Sequence, residues 1–271
     1  MSDSNRQVSL ELEAMADLKA ETSPLHDSPQ PSAALTTSPT PAAPTLGEVL
    51  AEIGPLPSEA LFLGIASDGL PVLLNLHDPR PGPILIIGDA GAGKTAFLQS
   101  VARSLIETHD PNEAQFGVVT NRPDEWENIE ATPHHVGVFP VHEDGAKDFL
   151  VSLSGWAHAN KIARQSVILL VDDLEEMTTL DSDALQSFRW LLLRGPTRRV
   201  WPLITLNAER YEQVVSWLPN FRTRVFGRIA DGVVAEALGA DKLSALDQLE
   251  APIQFSLREN GNWLRFWLLS R

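Results

Sequence analysis

Ile84-Leu85-Ile86-Ile87-Gly88-Asp89-Ala90-Gly91-Ala92-Gly93-Lys94-Thr95 is the stretch whose reading decides the fold. Four apolar residues in a row have the character of a strand buried on both faces. The octapeptide Gly88 to Thr95 fits G-x-x-x-x-G-K-[ST], the P-loop pattern. Beyond it, Phe97, Leu98, Val101, Ala102, Leu105 and Ile106 recur at helical spacing. The glycines allow a tight turn in which successive N–H groups converge on phosphate oxygens, and the N-terminus of the next helix adds a positive dipole end. On this reading Gly88, Asp89, Ala90, Gly91, Ala92, Gly93, Lys94 and Thr95 hold the phosphates of a nucleoside triphosphate. Lys94 reaches the β- and γ-phosphates, and the Thr95 hydroxyl ligates Mg²⁺. The other reading is a glycine-rich turn before a core helix; the order strand, loop, helix favours the nucleotide.

The chain has 271 residues, enough for one large domain or two small ones. It has no cysteine, which excludes disulfides and thiolate metal sites. A net charge of −15 argues against non-specific attraction to nucleic acid. No apolar stretch is long enough to cross a bilayer, and the N-terminus lacks the basic-then-apolar order of a signal peptide, so a cytoplasmic protein is expected.

Glu21 to Thr45 is dominated by Pro, Ser, Thr and Ala, a composition that buries too little apolar surface to offset ordering entropy. Residues 1–45 therefore read as a disordered tail, with Val8 to Leu18 either unstructured or a short amphipathic helix, and 46–271 as the folded domain. Strands are expected at Leu61–Ile65, Val72–Leu76, Ile84–Ile87, Phe116–Thr120, Val136–Phe139, Val167–Val171, Leu203–Leu206 and Arg224–Ile229. Helices are expected after Lys94, over Glu143–Asn160 and over Asp181–Arg194. This alternation predicts an α/β domain with a mostly parallel central sheet flanked by helices. Ile253–Leu257 and Trp263–Leu269 flank Asn260-Gly261 and read as a C-terminal β-hairpin. Trp263, Phe266 and Trp267 read as hairpin packing in preference to a base-stacking platform.

A P-loop ATPase needs a carboxylate at the end of a neighbouring strand to hold Mg²⁺. Val167-Ile168-Leu169-Leu170-Val171-Asp172-Asp173 supplies one. Asp172 is the candidate metal partner, and Asp173 stands where many ATPases carry the glutamate that polarises the attacking water. Helix capping or plain solvation is the alternative for an acid pair after a strand. Aspartate is shorter than glutamate by one methylene, and a misplacement of about 1 Å costs roughly a hundredfold in rate. Glu175 and Glu176 read as a solvated face.

From about Leu61 onward the chain resembles the FtsK/HerA superfamily of P-loop ATPases, and in particular the RecA-like motor core of FtsK/SpoIIIE translocases. The resemblance rests on Leu63-Gly64 with Asp68-Gly69-Leu70-Pro71-Val72 before the P-loop, and on Thr132-Pro133-His134 between the two nucleotide motifs. It also rests on Leu203-Ile204-Thr205-Leu206-Asn207, on Asn220-Phe221-Arg222-Thr223-Arg224-Val225-Phe226, and on the closing hairpin. It implies a Mg²⁺-dependent ATPase acting as a homo-oligomer, in this family a hexameric ring, that moves double-stranded DNA or another polymer. Carried onto this sequence, it assigns Asp172 to Mg²⁺, Asp173 to the base position and Asn207 to the polar sensor that ends its strand. A plain strand-end turn is the other reading of Asn207. Arg224 takes the place of the family's arginine, with Arg194, Arg198 and Arg199 as competitors for a finger supplied in trans. His134 and His135 are given a structural role rather than a metal.

Three departures weigh against DNA translocation more than against ATP binding: no DNA-reading winged helix, an acidic domain, and Thr120–Glu130 in place of an Asp-Pro-Lys stretch. Asp173 in place of glutamate and Asn207 in place of glutamine leave a second reading open, a nucleotide-binding switch or scaffold with weak or no hydrolysis that acts through a protein partner. A third, a small-molecule or nucleotide kinase, lacks a visible lid and substrate-binding arginines.

Overall fold

In the computed structural model, residues 45–129, 132–160 and 165–269 are described. The expected tail up to residue 44, including Val8 to Leu18, lies outside them. Thr45 is the N-cap of the first helix, α1 (Leu46–Ile53), in a capping box with Glu48.

The strands are β1 (Ala60–Ala66), β2 (Pro71–Asn75), β3 (Ile84–Gly88), β4 (Ala114–Thr120), β5 (His135–Pro140), β6 (Ser166–Val171), β7 (Val200–Asn207), β8 (Thr223–Phe226), β9 (Gln254–Glu259) and β10 (Asn262–Trp267). They form a ten-stranded sheet in the order β2-β1-β10-β9-β8-β3-β7-β6-β4-β5. From β8 to β5 every neighbouring pair is parallel. The N-terminal hairpin β1–β2 and the C-terminal hairpin β9–β10 extend the same sheet through antiparallel pairs.

The helices are α2 (Lys94–Thr108), α3 (Asp144–Ala159), α4 (Leu174–Met177), α5 (Ser182–Arg194) and α6 (Gly232–Ala237). The apolar run of β3 serves two cores, because side chains alternate across a strand. Ile84 and Ile86 join the core built with Phe97, Leu98 and Val101 of α2. Leu85 and Ile87 join the opposite core, with Phe149 and Leu150 of α3 and Phe188 and Leu191 of α5. A strand covered on both faces has no place for a polar alternate, hence Ile-Leu-Ile-Ile.

The hairpin aromatics pack as the sequence suggests. Phe266 is fully buried, and the Trp263 ring meets Phe226 edge-on at 5.6 Å while its Nε1–H donates to Asp241 Oδ1 at 2.8 Å.

One expectation is corrected by the topology. The strand carrying Asp172 is not a neighbour of the P-loop strand, because β7 lies between β3 and β6. A side chain of β7 therefore stands between the two nucleotide motifs.

Candidate nucleotide site

The carboxyl ends of β3, β4, β6 and β7 converge on a cavity of about 510 Å³, the position where open α/β sheets take ligands. P-loop residues Ala90, Gly91, Gly93, Lys94 and Thr95 line one wall. Arg122, Asp173, Glu175, Asn207, Arg210 and Pro252 line the rest.

The loop takes its shape from two glycines with positive φ, Gly91 at +76° and Gly93 at +90°. Gly93 also meets the carbonyl of Pro252 so closely that no Cβ fits there. Asp89 anchors the loop to the chain beyond β8: its N–H donates to the Arg228 carbonyl at 2.9 Å, and its Oδ2 accepts the Ala230 N–H at 2.8 Å.

Lys94 donates to the carbonyls of Gly88 and Asp89, at 3.0 and 2.9 Å. Burial disfavours its charge and lowers its pKa, against the opposing pull of Asp173, Asp172, Glu175 and Asp89. An arriving phosphate would favour the charged form.

Thr95 and Asp172, 77 residues apart in sequence, meet at 2.9 Å, with the Thr95 hydroxyl donating to Oδ2. Asp172 is only 1% exposed. The Thr205 hydroxyl of β7 donates to its Oδ1 at 2.8 Å and accepts the Asp173 N–H at 2.7 Å. Mg²⁺ takes oxygen ligands and is commonly held through one or two carboxylates plus substrate phosphates. A hydroxyl beside a fixed, buried carboxylate fits that demand. Among the described residues no cluster of three or more His, Cys, Asp or Glu surrounds this site, so a metal held by Thr95 and Asp172 would keep water or substrate oxygens as its other ligands.

Asp173 has φ +81°, a conformation that costs about 1–3 kcal/mol outside glycine and concentrates at functional sites. Burial raises its pKa, with Asp172 adding to the rise and Arg122, Lys94 and Arg210 opposing it. Its Oδ2 lies 3.6 Å from Arg122.

Asn207 lines the cavity and also caps the short 3₁₀ turn Ala208–Val214, accepting the Glu209 N–H at 3.3 Å. The cap is the strand-end turn of its second reading. Arg224 donates to the carbonyls of Leu238 and Leu218, at 2.6 and 3.1 Å, and does not line the cavity. Arg194, Arg198 and Arg199 precede β7, at the amino ends of the parallel strands and so across the sheet from the P-loop. His134 is buried, with Nε2 2.9 Å from the His109 carbonyl, and the His135 ring lies 5.0 Å from that of Phe116, tilted by 32°.

The expected solvation of Glu175 is corrected. Its side chain is 2% exposed, both carboxylate oxygens lack a hydrogen-bond partner among the described residues, and Arg210 stands 3.8 Å away. Burial raises its pKa.

Sequence reasoning missed Thr205, Arg122 and Arg210. Thr205 carried a signal, a lone hydroxyl inside the apolar run Leu203–Leu206. Arg122 also carried one, as the first cation past the carboxyl end of β4.

No family model matches the chain, and no curated protein matches it. Solved structures do. The ATPases 2 and 3 of EssC from Geobacillus thermodenitrificans superpose with a TM-score of 0.66 at 13% identity, over 85% of this chain and 47% of that one. The ATPases 2 and 3 of Thermomonospora curvata EccC, in complex with a signal sequence peptide, give 0.63 at 15% identity, over 85% and 43%. The pCW3 conjugation coupling protein TcpA, monomer form with ATPγS, gives 0.63 at 15% identity, over 84% and 69%. The chain thus spans less than half the length of the EssC and EccC structures it matches. Its fold is that of these solved domains, a mixed α/β fold with a mostly parallel sheet flanked by helices.

Proposed function

We propose that residues 46–271 form an ATPase domain of the FtsK/HerA type that binds ATP with Mg²⁺ and hydrolyses it. The observation that carries this reading is the 2.9 Å contact between Thr95 and Asp172, which joins the two nucleotide motifs beside a cavity that Thr95 lines. Backbone N–H groups of Gly88 to Thr95 cradle the phosphates, with Lys94 neutralising their charge. Thr95 and Asp172 hold the metal, whose chemistry here is to neutralise charge on the transferring phosphoryl group. Asp173 orients the attacking water and Asn207 reports on the terminal phosphate. Arg224 serves a neighbouring copy in a homo-oligomer, a role that requires it to leave the Leu218 and Leu238 carbonyls. In this reading the protein is cytoplasmic and the oligomer moves double-stranded DNA or another polymer. The conjugation coupling protein TcpA and the Type VII secretion ATPase EccC among the structural neighbours support a polymer-handling role.

One observation favours a slower enzyme that works as a switch on a protein partner. Asp173 is the shorter acid, and its carboxylate faces Arg122 at 3.6 Å. Steady-state turnover with and without double-stranded DNA, in wild type, Lys94→Ala and Asp173→Glu, separates the two. DNA-stimulated turnover lost in Lys94→Ala supports the motor. Tight binding without turnover, rescued by Asp173→Glu, supports the switch.

A further inference from the structure

Three cations line the cavity, and two of them have partners away from Asp172. Lys94 is held by the Gly88 and Asp89 carbonyls, and Arg210 faces Glu175 and Glu176, at 3.8 and 3.7 Å. Arg122 is the one that touches Asp172. Its Nη2 lies 3.3 Å from Asp172 Oδ2, 3.4 Å from Thr95 Oγ1 and 3.6 Å from Asp173 Oδ2. Its Nη1 pairs with Glu125 Oε1 at 3.0 Å, on the turn Pro123–Trp126 that follows β4.

The Thr95 hydroxyl and Asp172 Oδ2 are the oxygens that the proposed function assigns to Mg²⁺. A guanidinium N–H and a divalent cation draw on the same lone pairs, and their like charges repel. Thr205 fixes the other oxygen of Asp172, so the carboxylate is not free to turn and serve both cations.

We propose that Arg122 is a built-in competitor of the metal: it neutralises Asp172 and Asp173, and gives up Asp172 and Thr95 when Mg²⁺ and nucleotide bind. The inference rests on the nucleotide reading above and deepens it, because it makes the metal requirement a property of one side chain. The Glu125 pairing does not use the shared oxygens and survives the exchange. Glu125 also accepts, through its carbonyl, the Gln99 side chain of α2 at 2.8 Å, which ties the turn carrying Arg122 to the helix of the P-loop.

The test uses the full chain as wild type, Arg122→Gln, Arg122→Lys and the double variant Arg122→Gln/Asp172→Asn. Mn²⁺ is titrated without nucleotide and followed by its paramagnetic resonance signal. In parallel, a fluorescent ATP analogue is held at a fixed sub-saturating concentration while Mg²⁺ is titrated from an EDTA baseline. Loss of one charge-assisted contact lowers the half-saturating metal concentration in Arg122→Gln by about tenfold in both titrations. Arg122→Lys keeps a positive charge and stays close to wild type, and the added Asp172→Asn removes the gain. With EDTA present, Arg122→Gln binds the analogue more weakly than wild type. An unchanged or higher metal requirement in Arg122→Gln overturns the proposal. Failure of the wild type to bind the analogue at any Mg²⁺ concentration contradicts the nucleotide reading instead, while the Mn²⁺ titration still decides the role of Arg122.

Discussion

Thr205 on β7 donates its hydroxyl to Oδ1 of Asp172 at the end of β6, 2.8 Å away, and accepts the N–H of Asp173 at 2.7 Å. One hydroxyl therefore fixes both acids of the site. Thr205→Val keeps the shape of the residue and leaves a carboxylate oxygen without that partner in a fully buried place. The expected loss is about 1–3 kcal/mol of stability, with weaker Mg²⁺-dependent nucleotide binding. Thr205→Ser restores both. Urea denaturation and a nucleotide titration on the three proteins check this.

Gly93 is the most constrained position of the P-loop. Gly93→Ala puts a Cβ into the Pro252 carbonyl at a φ of +90°. Gly91→Ala, at φ +76°, meets nothing within 4 Å and bears only the backbone strain. The expected order of melting temperature is wild type, then Gly91→Ala, then Gly93→Ala, with the last also losing nucleotide binding. Equal melting temperatures for the two variants contradict the contact with Pro252.

Glu175 gives the domain a pH dependence of definite sign. Burial raises its folded pKa above the unfolded value. Between those two values the folded state binds more protons, so this residue's contribution to stability falls as pH rises through the window. Glu175→Gln removes that slope and makes the domain more stable than wild type at pH 8. Denaturant midpoints at pH 5 and pH 8 read it directly, and a variant less stable at pH 8 contradicts the account.

Arg224→Ala removes two charge-assisted bonds to the Leu218 and Leu238 carbonyls. The loss expected for its structural contacts is about 1–3 kcal/mol. Thermal melts combined with ATPase assays separate two roles. Lost turnover at an unchanged melting temperature assigns Arg224 to the phosphate of a neighbouring copy, and lowered stability with residual turnover assigns it to the loops it now holds.

Much of this fold was legible locally. β3, β6 and the Asn260-Gly261 hairpin follow from runs of adjacent residues, because a strand covered on both faces admits only apolar side chains and a two-residue turn favours Asn-Gly. What stayed hidden depends on pairings distant in sequence. Nothing near Asp172 says that β7 separates it from β3, and so nothing pointed to Thr205 as the bridge. The contact of Arg122 with Asp172 spans 50 residues. Glu175 sits in an acidic run that reads as solvated, and its burial follows from a short helix, α4, packing inward with Leu174 and Met177. The P-loop, Asp172 and Asp173 could be named as candidates because their motifs are continuous; the contacts that orient them could not, because those are tertiary.

The central claim is that the cavity at the ends of β3, β6 and β7 binds and hydrolyses ATP. The most direct measurement is phosphate release from Mg²⁺-ATP by wild type and Lys94→Ala, alongside equilibrium binding of a fluorescent ATP analogue. The account predicts measurable turnover and Mg²⁺-dependent binding in wild type, with both lost or greatly reduced in Lys94→Ala. Binding and turnover unaffected by Lys94→Ala, or absent from a folded wild type, would contradict it.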